Sequence, residues 1–428
     1  MLGRIGFYGG MANNMYVFAK SLVKIGSDVI FIRDRSDRFA FSQPVWEDVE
    51  AFLSYADVRA SSGWDWALWS QFEERHGWHR PGWLLDPHEQ EAEDDFALPL
   101  RGWRHHVRPM QAAPSAKAVL DAMQTCDSLV VCGVEATTLA GLSGKKFIIL
   151  PHGGDIRIAA GLANLGQDGS WIDRKLGSTP EVLLKQAYAK AHAVVTHGPL
   201  RIGGPLDTRK QSFSELMPTV RFDQLPLPVI QRSRPMRIER RKRLAVLCER
   251  LGISTPTAEL IAFVPSRVDY FWKGQDRLVS ALEGYADANR LHLIFSGWGK
   301  DYDNLRQRLS TEQATFLPCA MSKQLVYSFF QASDLVIDQF ILGHYGTAAQ
   351  EAMACGAPVM IWIDAADYVD KEPPPVLNVR SPQDIVRLLT DVLVGRIDLE
   401  VIGEAGRDWI LRHHGPEKVC ERLEYLLN

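Results

Sequence analysis

No apolar run in the sequence approaches the ~18 residues that a membrane-crossing helix needs, so no transmembrane segment is expected. Its six cysteines (Cys126, Cys132, Cys248, Cys319, Cys355 and Cys420) are scattered, with no C-x-x-C pair and no paired spacing. That excludes a zinc ribbon and a disulfide framework, and a reducing, cytoplasmic location is expected. There is no basic excess either. Lys plus Arg number 48 against 52 Asp plus Glu, a formal charge of −4, so no nucleic-acid partner is expected. No Gly-Lys is followed by Ser or Thr, which excludes a P-loop, and Gly297-Trp-Gly299 lacks the third glycine of a dinucleotide fingerprint. No carboxylate cluster calls for a metal ion, and neither a metal nor a resident cofactor is expected. An N-terminal leader is not expected, because Arg4–Phe7 reads as a buried strand and Gly9-Gly10 interrupts any apolar stretch. No tandem repeat is visible.

What is present is an α/β rhythm. The 428 residues, 46% hydrophobic, are enough for two or three domains with cores of their own. Arg4–Tyr8 reads as a strand, Ala12–Ile25 has helical apolar spacing, Gly26 stops it, and Val29–Ile32 is a second strand. This β-α-β unit belongs to a parallel, doubly wound sheet. Ser128–Cys132, Phe147–Leu150 and Ala193–Thr196 continue the series. Leu225-Pro-Leu-Pro228 and the charged stretch Arg232–Arg243 form the best linker candidate. The rhythm then restarts at Leu260–Pro265 and runs through a helix at Gly346–Cys355 to a helical tail over Gly406–Leu427.

The sequence has twelve Trp, and six of them lie between Trp64 and Trp103 in an irregular, insertion-like stretch. A basic cluster, Arg101–Arg108, ends that stretch. It reads first as a solvated loop packed by aromatics, and second as a contact for a phosphorylated or lipid-linked acceptor at a membrane surface.

Three features point to a nucleoside diphosphate. Gly346-Thr347 open a helix whose free amides and positive dipole end suit phosphate. Arg267 and Lys273 follow a buried strand and so stand at its carboxyl end, where two cations could neutralise a diphosphate. Glu351, one turn into the same helix, could accept hydrogen bonds from ribose hydroxyls. Each has a bland explanation of its own: a capped helix, two solvated cations, a first-turn Glu held by the dipole. Their joint occurrence, in order, favours the ligand.

The segment Phe263–Pro358 resembles the GT-B-fold retaining glycosyltransferases of family 4, the group 1 glycosyltransferases. The match rests on Arg267, Lys273-Gly274, Gly297-Trp-Gly299 and Gly346-Thr-Ala-Ala-Gln-Glu351-Ala-Met-Ala-Cys-Gly356-Ala-Pro358-Val. Gly9-Gly10 resembles the family's glycine loop, and Pro151-His152-Gly153-Gly154-Asp155 its His-containing turn. The resemblance implies two Rossmann-like lobes facing a central cleft. An acceptor-side lobe would span 1–228, with the Trp-rich insertion at about 41–124. A nucleotide-sugar lobe would span 229–405, and a final helix over 406–428 would cross back to the first lobe.

Roles follow from the same resemblance. Arg267 and Lys273 would bind the diphosphate, Glu351 the ribose, and Gly346 and Thr347 would offer amides. Gly9 and Gly10 would let the backbone approach the distal phosphate, and His152 would sit beside the anomeric carbon. The Thr315–Cys319 segment, with Leu317, would pass beside the base, Gly297 would be a further donor-binding residue, and Gly343, His344 and Tyr345 would form the turn near the donor sugar. The pattern departs at Gly343, where the family usually carries a Glu that holds the donor sugar; His344 or Asp338 could stand in for it. The activity expected is transfer of a sugar from a UDP-sugar to a glycan or lipid-linked acceptor, with retention of configuration and no metal. Peripheral contact at the inner face of a membrane is a variant of that reading. The competing readings are a nucleotide-sugar epimerase on the same fold and a degenerate transferase that serves as a binding subunit.

Overall fold

The computed structural model describes residues 3–9, 13–34, 38–87, 114–151, 154–160, 178–198, 212–368 and 371–428. Its first half contributes strands β1 (Ile5–Tyr8), β2 (Val29–Ile32), β3 (Phe52–Ser54), β4 (Leu84–Leu85), β5 (Ser128–Val131), β6 (Lys146–Ile149), β7 (Ala193–Thr196) and β8 (Phe222–Gln224). All but β3 join one parallel sheet in the order β4-β2-β1-β5-β6-β7-β8. The second half contributes β9 (Leu260–Val264), β10 (Leu291–Ser296), β11 (Ala314–Leu317), β12 (Cys319–Met321), β13 (Leu335–Ile337), β14 (Val359–Ile361) and β15 (Leu377–Asn378). All but β12 form a second parallel sheet, β11-β10-β9-β13-β14-β15. Every residue of β1, β5, β9 and β10 is buried, as expected of strands covered on both faces. The first crossover is the helix Asn14–Lys24, which buries Met15, Phe18, Ala19 and Leu22 and stacks Phe18 on Phe7 of β1. The architecture is α/β with two Rossmann-like sheets, as the sequence led us to expect.

Among the described residues, three contacts between the lobes stand out. First, β3 pairs antiparallel with β12, in the register Ser54 to Cys319 and Phe52 to Met321. Around that pair, Ser322 Oγ accepts from the Ala51 amide (2.9 Å) and donates to the Val49 carbonyl (2.6 Å). Gln324 Nε2 donates to the Glu47 carbonyl (2.8 Å). Second, the tryptophans of the insertion that fall within the described residues are mostly core. Trp46, Trp66 and Trp69 are buried with Val45, Phe72 and, from the second lobe, Ala320. Third, the tail crosses between the lobes. Trp409 and Ile410 lie in the C-terminal core, whereas Val419, Leu423, Leu426 and Leu427 lie in the N-terminal core with Ile5 and Phe7.

Two expectations change. The helical tail over 406–428 is two helices, Leu399–His414 and Pro416–Leu427, divided at Gly415. Pro416 lacks an amide for the first helix to continue and is well placed to start the second. The charged stretch Arg232–Arg243 is not simply a linker. From Arg237 it is the helix Arg237–Arg250, and Arg240 is buried against Glu400 (2.6 Å). The chain crosses at Leu225–Val229, which is buried apart from the half-buried Pro226. Among the described residues no helix is long and apolar enough to cross a membrane. The six cysteines are free.

Candidate active site

In an open parallel sheet, ligands bind beyond the carboxyl ends of the strands where the strand order reverses. In the C-terminal sheet that point lies between β9, which steps outward to β10, and β13, which steps the other way. Ser266 and Arg267 emerge from β9, and Asp338 from β13. Ser266 Oγ donates to Asp338 Oδ1 (2.9 Å), and Lys273 Nζ donates to the same oxygen (3.3 Å). Asp338 is buried, and its Oδ2 has no protein partner. That oxygen stands 3.9 Å from the place a Cβ on Gly346 would take, so the N-terminus of the helix Thr347–Ala354 lies directly over this cluster. No side chain caps that helix, which leaves its first amides available to an anion.

Lys273 is held by its backbone as well. Its amide donates to the Asp269 carbonyl (2.7 Å), and its carbonyl accepts from Phe340 (2.9 Å), which ties the cation loop to the segment after β13. Arg267 is on the same loop with its side chain 45% exposed, free to turn toward a ligand. Its Nε is 3.4 Å from Asp269 Oδ2, and Lys300 Nζ is 3.0 Å from Asp269 Oδ1. Burial opposes the charge of Asp269, but Lys300, the Trp272 amide and Arg267 outweigh it, and the pKa is lowered.

Gly297 and Gly299 allow two backbones to touch. A Cβ on Gly297 would lie 2.1 Å from the Leu317 carbonyl oxygen, and one on Gly299 (φ +130°) 2.1 Å from that of Val268. The side chain of Leu317 is buried in the core, so at a ligand it has only backbone to offer. The Tyr55 hydroxyl, from the N-terminal lobe, accepts from the Gly297 amide (2.8 Å).

The turn after β13 explains the missing carboxylate. Gln339 Oε1 accepts from the amides of Ile341 and Leu342 (2.7 Å each), and its Nε2 donates to the carbonyls of His344 and Trp362. This bends the loop so that Gly343 takes φ +75°, with the Trp362 ring 3.1 Å from where a Cβ would be. A Glu there would be strained. Asp338 is turned toward Ser266 and Lys273, and the His344 ring lies at the lobe boundary, 3.5 Å from a Cβ placed on Gly198. Tyr345 points away from the cluster, its hydroxyl 3.1 Å from His414 Nε2 in the tail.

Glu351 is one turn along the helix and is already engaged. Lys323 Nζ donates to both its oxygens (2.6 and 2.8 Å), and the Tyr327 hydroxyl donates to one (3.3 Å). Burial works against the charge on Lys323, but Glu351 and Glu47 outweigh it and raise its pKa. On the N-terminal side, Gly9 has φ +118°, and a Cβ there would meet the Cys132 carbonyl oxygen at 2.0 Å. Gly10 and His152 lie outside the described residues.

The structure thus groups Lys273, Gly346 and Thr347 with Arg267 on the adjoining loop, and sets Glu351 one turn away. Sequence reasoning missed Ser266, Lys323 and Tyr327. Lys323 opens the helix Lys323–Ala332, and nothing in its spacing marked it as a partner of Glu351. Among the described residues, no group of three or more His, Cys, Asp or Glu is placed to hold a metal.

No curated protein matches the chain in sequence. Residues 254–409 match the family described as Glycosyl transferases group 1. Solved structures match over the whole length at low identity. HepE from Anabaena, solved in complex with UDP-glucose, superposes with a TM-score of 0.54 at 14% identity, covering 99% of this chain and 100% of that one. Sucrose-phosphate synthase from Thermosynechococcus elongatus gives 0.56 at 12%, covering 99% and 98%. The UDP-forming trehalose-phosphate synthase from Burkholderia xenovorans gives 0.54 at 11%, covering 100% and 99%. The two-lobed chain therefore has the GT-B fold, its C-terminal lobe is a group 1 glycosyltransferase domain over residues 254–409, and that domain makes the protein a transferase.

Proposed function

We propose that the protein transfers a sugar from a UDP-sugar to a glycan or lipid-linked acceptor, and that the Ser266–Asp338–Lys273 cluster beneath the Thr347 helix receives the donor diphosphate. The observation that carries this reading is the convergence of a fixed ammonium, a half-exposed guanidinium and an uncapped helix N-terminus at one sheet switch point. UDP as the nucleotide is supported by structural neighbours solved with UDP or UDP-glucose.

In this reading, negative charge grows on the departing diphosphate as the sugar leaves through an oxocarbenium-like state. Lys273, Arg267 and the amides of the Thr347 turn stabilise that charge without reorganising. Asp338 keeps Lys273 aimed. Glu351, kept ionised by Lys323, accepts from the ribose. Gly297 and the Leu317 backbone flank the base, and the loop 343–345 shapes the sugar end. His152 and the glycine loop at Gly9 and Gly10 serve the reacting end from the acceptor-side lobe, 1–228. Family 4 membership, retention of configuration, independence of metal and peripheral membrane contact complete the proposal.

The conformation of Gly343, at φ +75° with the Trp362 ring beside it and so closed to a carboxylate side chain, favours one second reading, a transferase-like binding subunit that has lost turnover. A panel of UDP- and GDP-sugars, followed by released nucleotide, separates the two. Release from one UDP-sugar, accelerated by acceptor, supports the transferase. Binding of nucleotide with no release from any donor supports the subunit.

A further inference from the structure

The chain passes between the lobes at two places, and one side chain holds both. On the outward crossing, Leu225 and Leu227 pack in the N-terminal core and Val229 in the C-terminal core. On the return, Ile410 packs in the C-terminal core and Val419 in the N-terminal core. His414 lies between those two, as the last residue of the helix Leu399–His414, and is 2% exposed. Its Nδ1 is 2.9 Å from the Leu227 carbonyl, and its own carbonyl accepts from the Val229 amide (3.0 Å). A rotation of one lobe on the other turns the chain at these two places, so His414 stands at the hinge.

The partners of the ring fix its hydrogens. A carbonyl only accepts, so Nδ1 carries the hydrogen of the neutral ring, and Nε2 is left with a lone pair. The group facing that lone pair is the Tyr345 hydroxyl, 3.1 Å away. Burial raises the Tyr345 pKa to about 12, so the phenol keeps the hydrogen it donates. Its ring stands edge-on to Trp409 of the tail helix, with centroids 5.6 Å apart.

Tyr345 also belongs to the donor loop. Only Gly346 separates it from Thr347, which opens the helix over the Asp338–Lys273 cluster. On its other side, the His344 ring is 3.5 Å from a Cβ placed on Gly198 of the N-terminal lobe. A ligand that settles the Gly346 turn therefore settles a residue bonded to the hinge.

We propose that His414 is a positioning residue of the donor site: through the Tyr345 hydroxyl it joins the loop 343–347 to both lobe crossings, so that nucleotide binding and ordering of the hinge favour each other. This rests on the donor reading above. The coupling is reciprocal, so whatever the nucleotide contributes to the hinge, the hinge returns to nucleotide affinity.

The test is hydrogen exchange at the Val229 amide in the full-length protein, with and without UDP at a concentration that calorimetry shows to be saturating. In wild type, UDP should slow that exchange at least fivefold. In Tyr345→Phe, which loses only the hydroxyl, UDP should still bind, two- to tenfold more weakly, and should slow exchange less than twofold. His414→Phe, which keeps a ring and bonds neither partner, should give the same result and carries the test if Tyr345→Phe does not fold. A bond with a merely structural role would speed exchange equally with and without UDP and leave the fivefold ratio intact. That result, or exchange in wild type that UDP does not change, would overturn the inference and leave the donor reading standing. Failure of wild type to bind UDP would overturn the donor reading, and the inference with it.

Discussion

Lys273 Nζ stands 3.3 Å from the buried Oδ1 of Asp338, and through that contact two loops from neighbouring strands present one cation at the mouth of the C-terminal sheet. The pair has two roles: it aims the charge, and it neutralises a carboxylate that is fully inside the protein. Lys273→Ala should therefore cut turnover more than tenfold and also destabilise the fold, by ~3 kcal/mol, because buried Asp338 keeps only the Ser266 hydroxyl and loses its counter-charge. Steady-state kinetics and chemical denaturation on the same variant check both. Asp338→Asn should keep most of the stability while lowering kcat, since Lys273 is then no longer held.

Restoring the family's carboxylate should fail. With φ +75° at Gly343 and the Trp362 ring 3.1 Å from a Cβ, Gly343→Glu should lose ~1–3 kcal/mol and gain no turnover. Thermal denaturation and nucleotide release measure it.

These two positions show where the sequence could be read and where it could not. Arg267 and Lys273 were legible because they follow an unmistakable buried strand, Leu260–Val264, and the Thr347 helix because Gly346 opens an apolar, Ala-rich turn. The role of Asp338 was not legible as a partner of Lys273, because it arises only from β9 lying beside β13 in the sheet. The grip of Lys323 on Glu351 likewise depends on two helices meeting, not on spacing along either. The β3–β12 pair is too short for alternation to announce it, and the two strands lie in different lobes. At the tail, apolar spacing runs straight through Gly415-Pro416, so periodicity hid a break that proline chemistry explains. The charge of Arg232–Arg243 suggested a solvated linker, yet Arg240 is buried with a carboxylate partner.

Ser322 ties the lobes through a single hydroxyl that serves both the Ala51 amide and the Val49 carbonyl. Ser322→Ala should destabilise the protein by ~1–3 kcal/mol, because it leaves that amide unpaired. It should also speed hydrogen exchange at Ala51 and leave exchange in β9 unchanged.

His414 makes stability depend on acid. Burial, together with His413, lowers its pKa to about 4, although the Leu227 carbonyl at its Nδ1 opposes the shift. The folded state therefore favours the neutral ring. Its contribution is complete above the ordinary histidine pKa near 6.5 and is lost as pH falls toward 4, a total of roughly 3 kcal/mol. Denaturation midpoints at pH 7 and pH 4.5 should differ more in wild type than in His414→Gln. Equal differences would show that His414 is not the titrating group.

The central claim is that the cluster at the end of β9 and β13 binds a nucleoside diphosphate, and thermal shift with UDP tests it most directly. UDP should raise the melting temperature of wild type in proportion to the logarithm of its concentration, and should raise that of Lys273→Ala far less. An unchanged melting temperature of wild type at millimolar UDP, GDP and their sugars would contradict it.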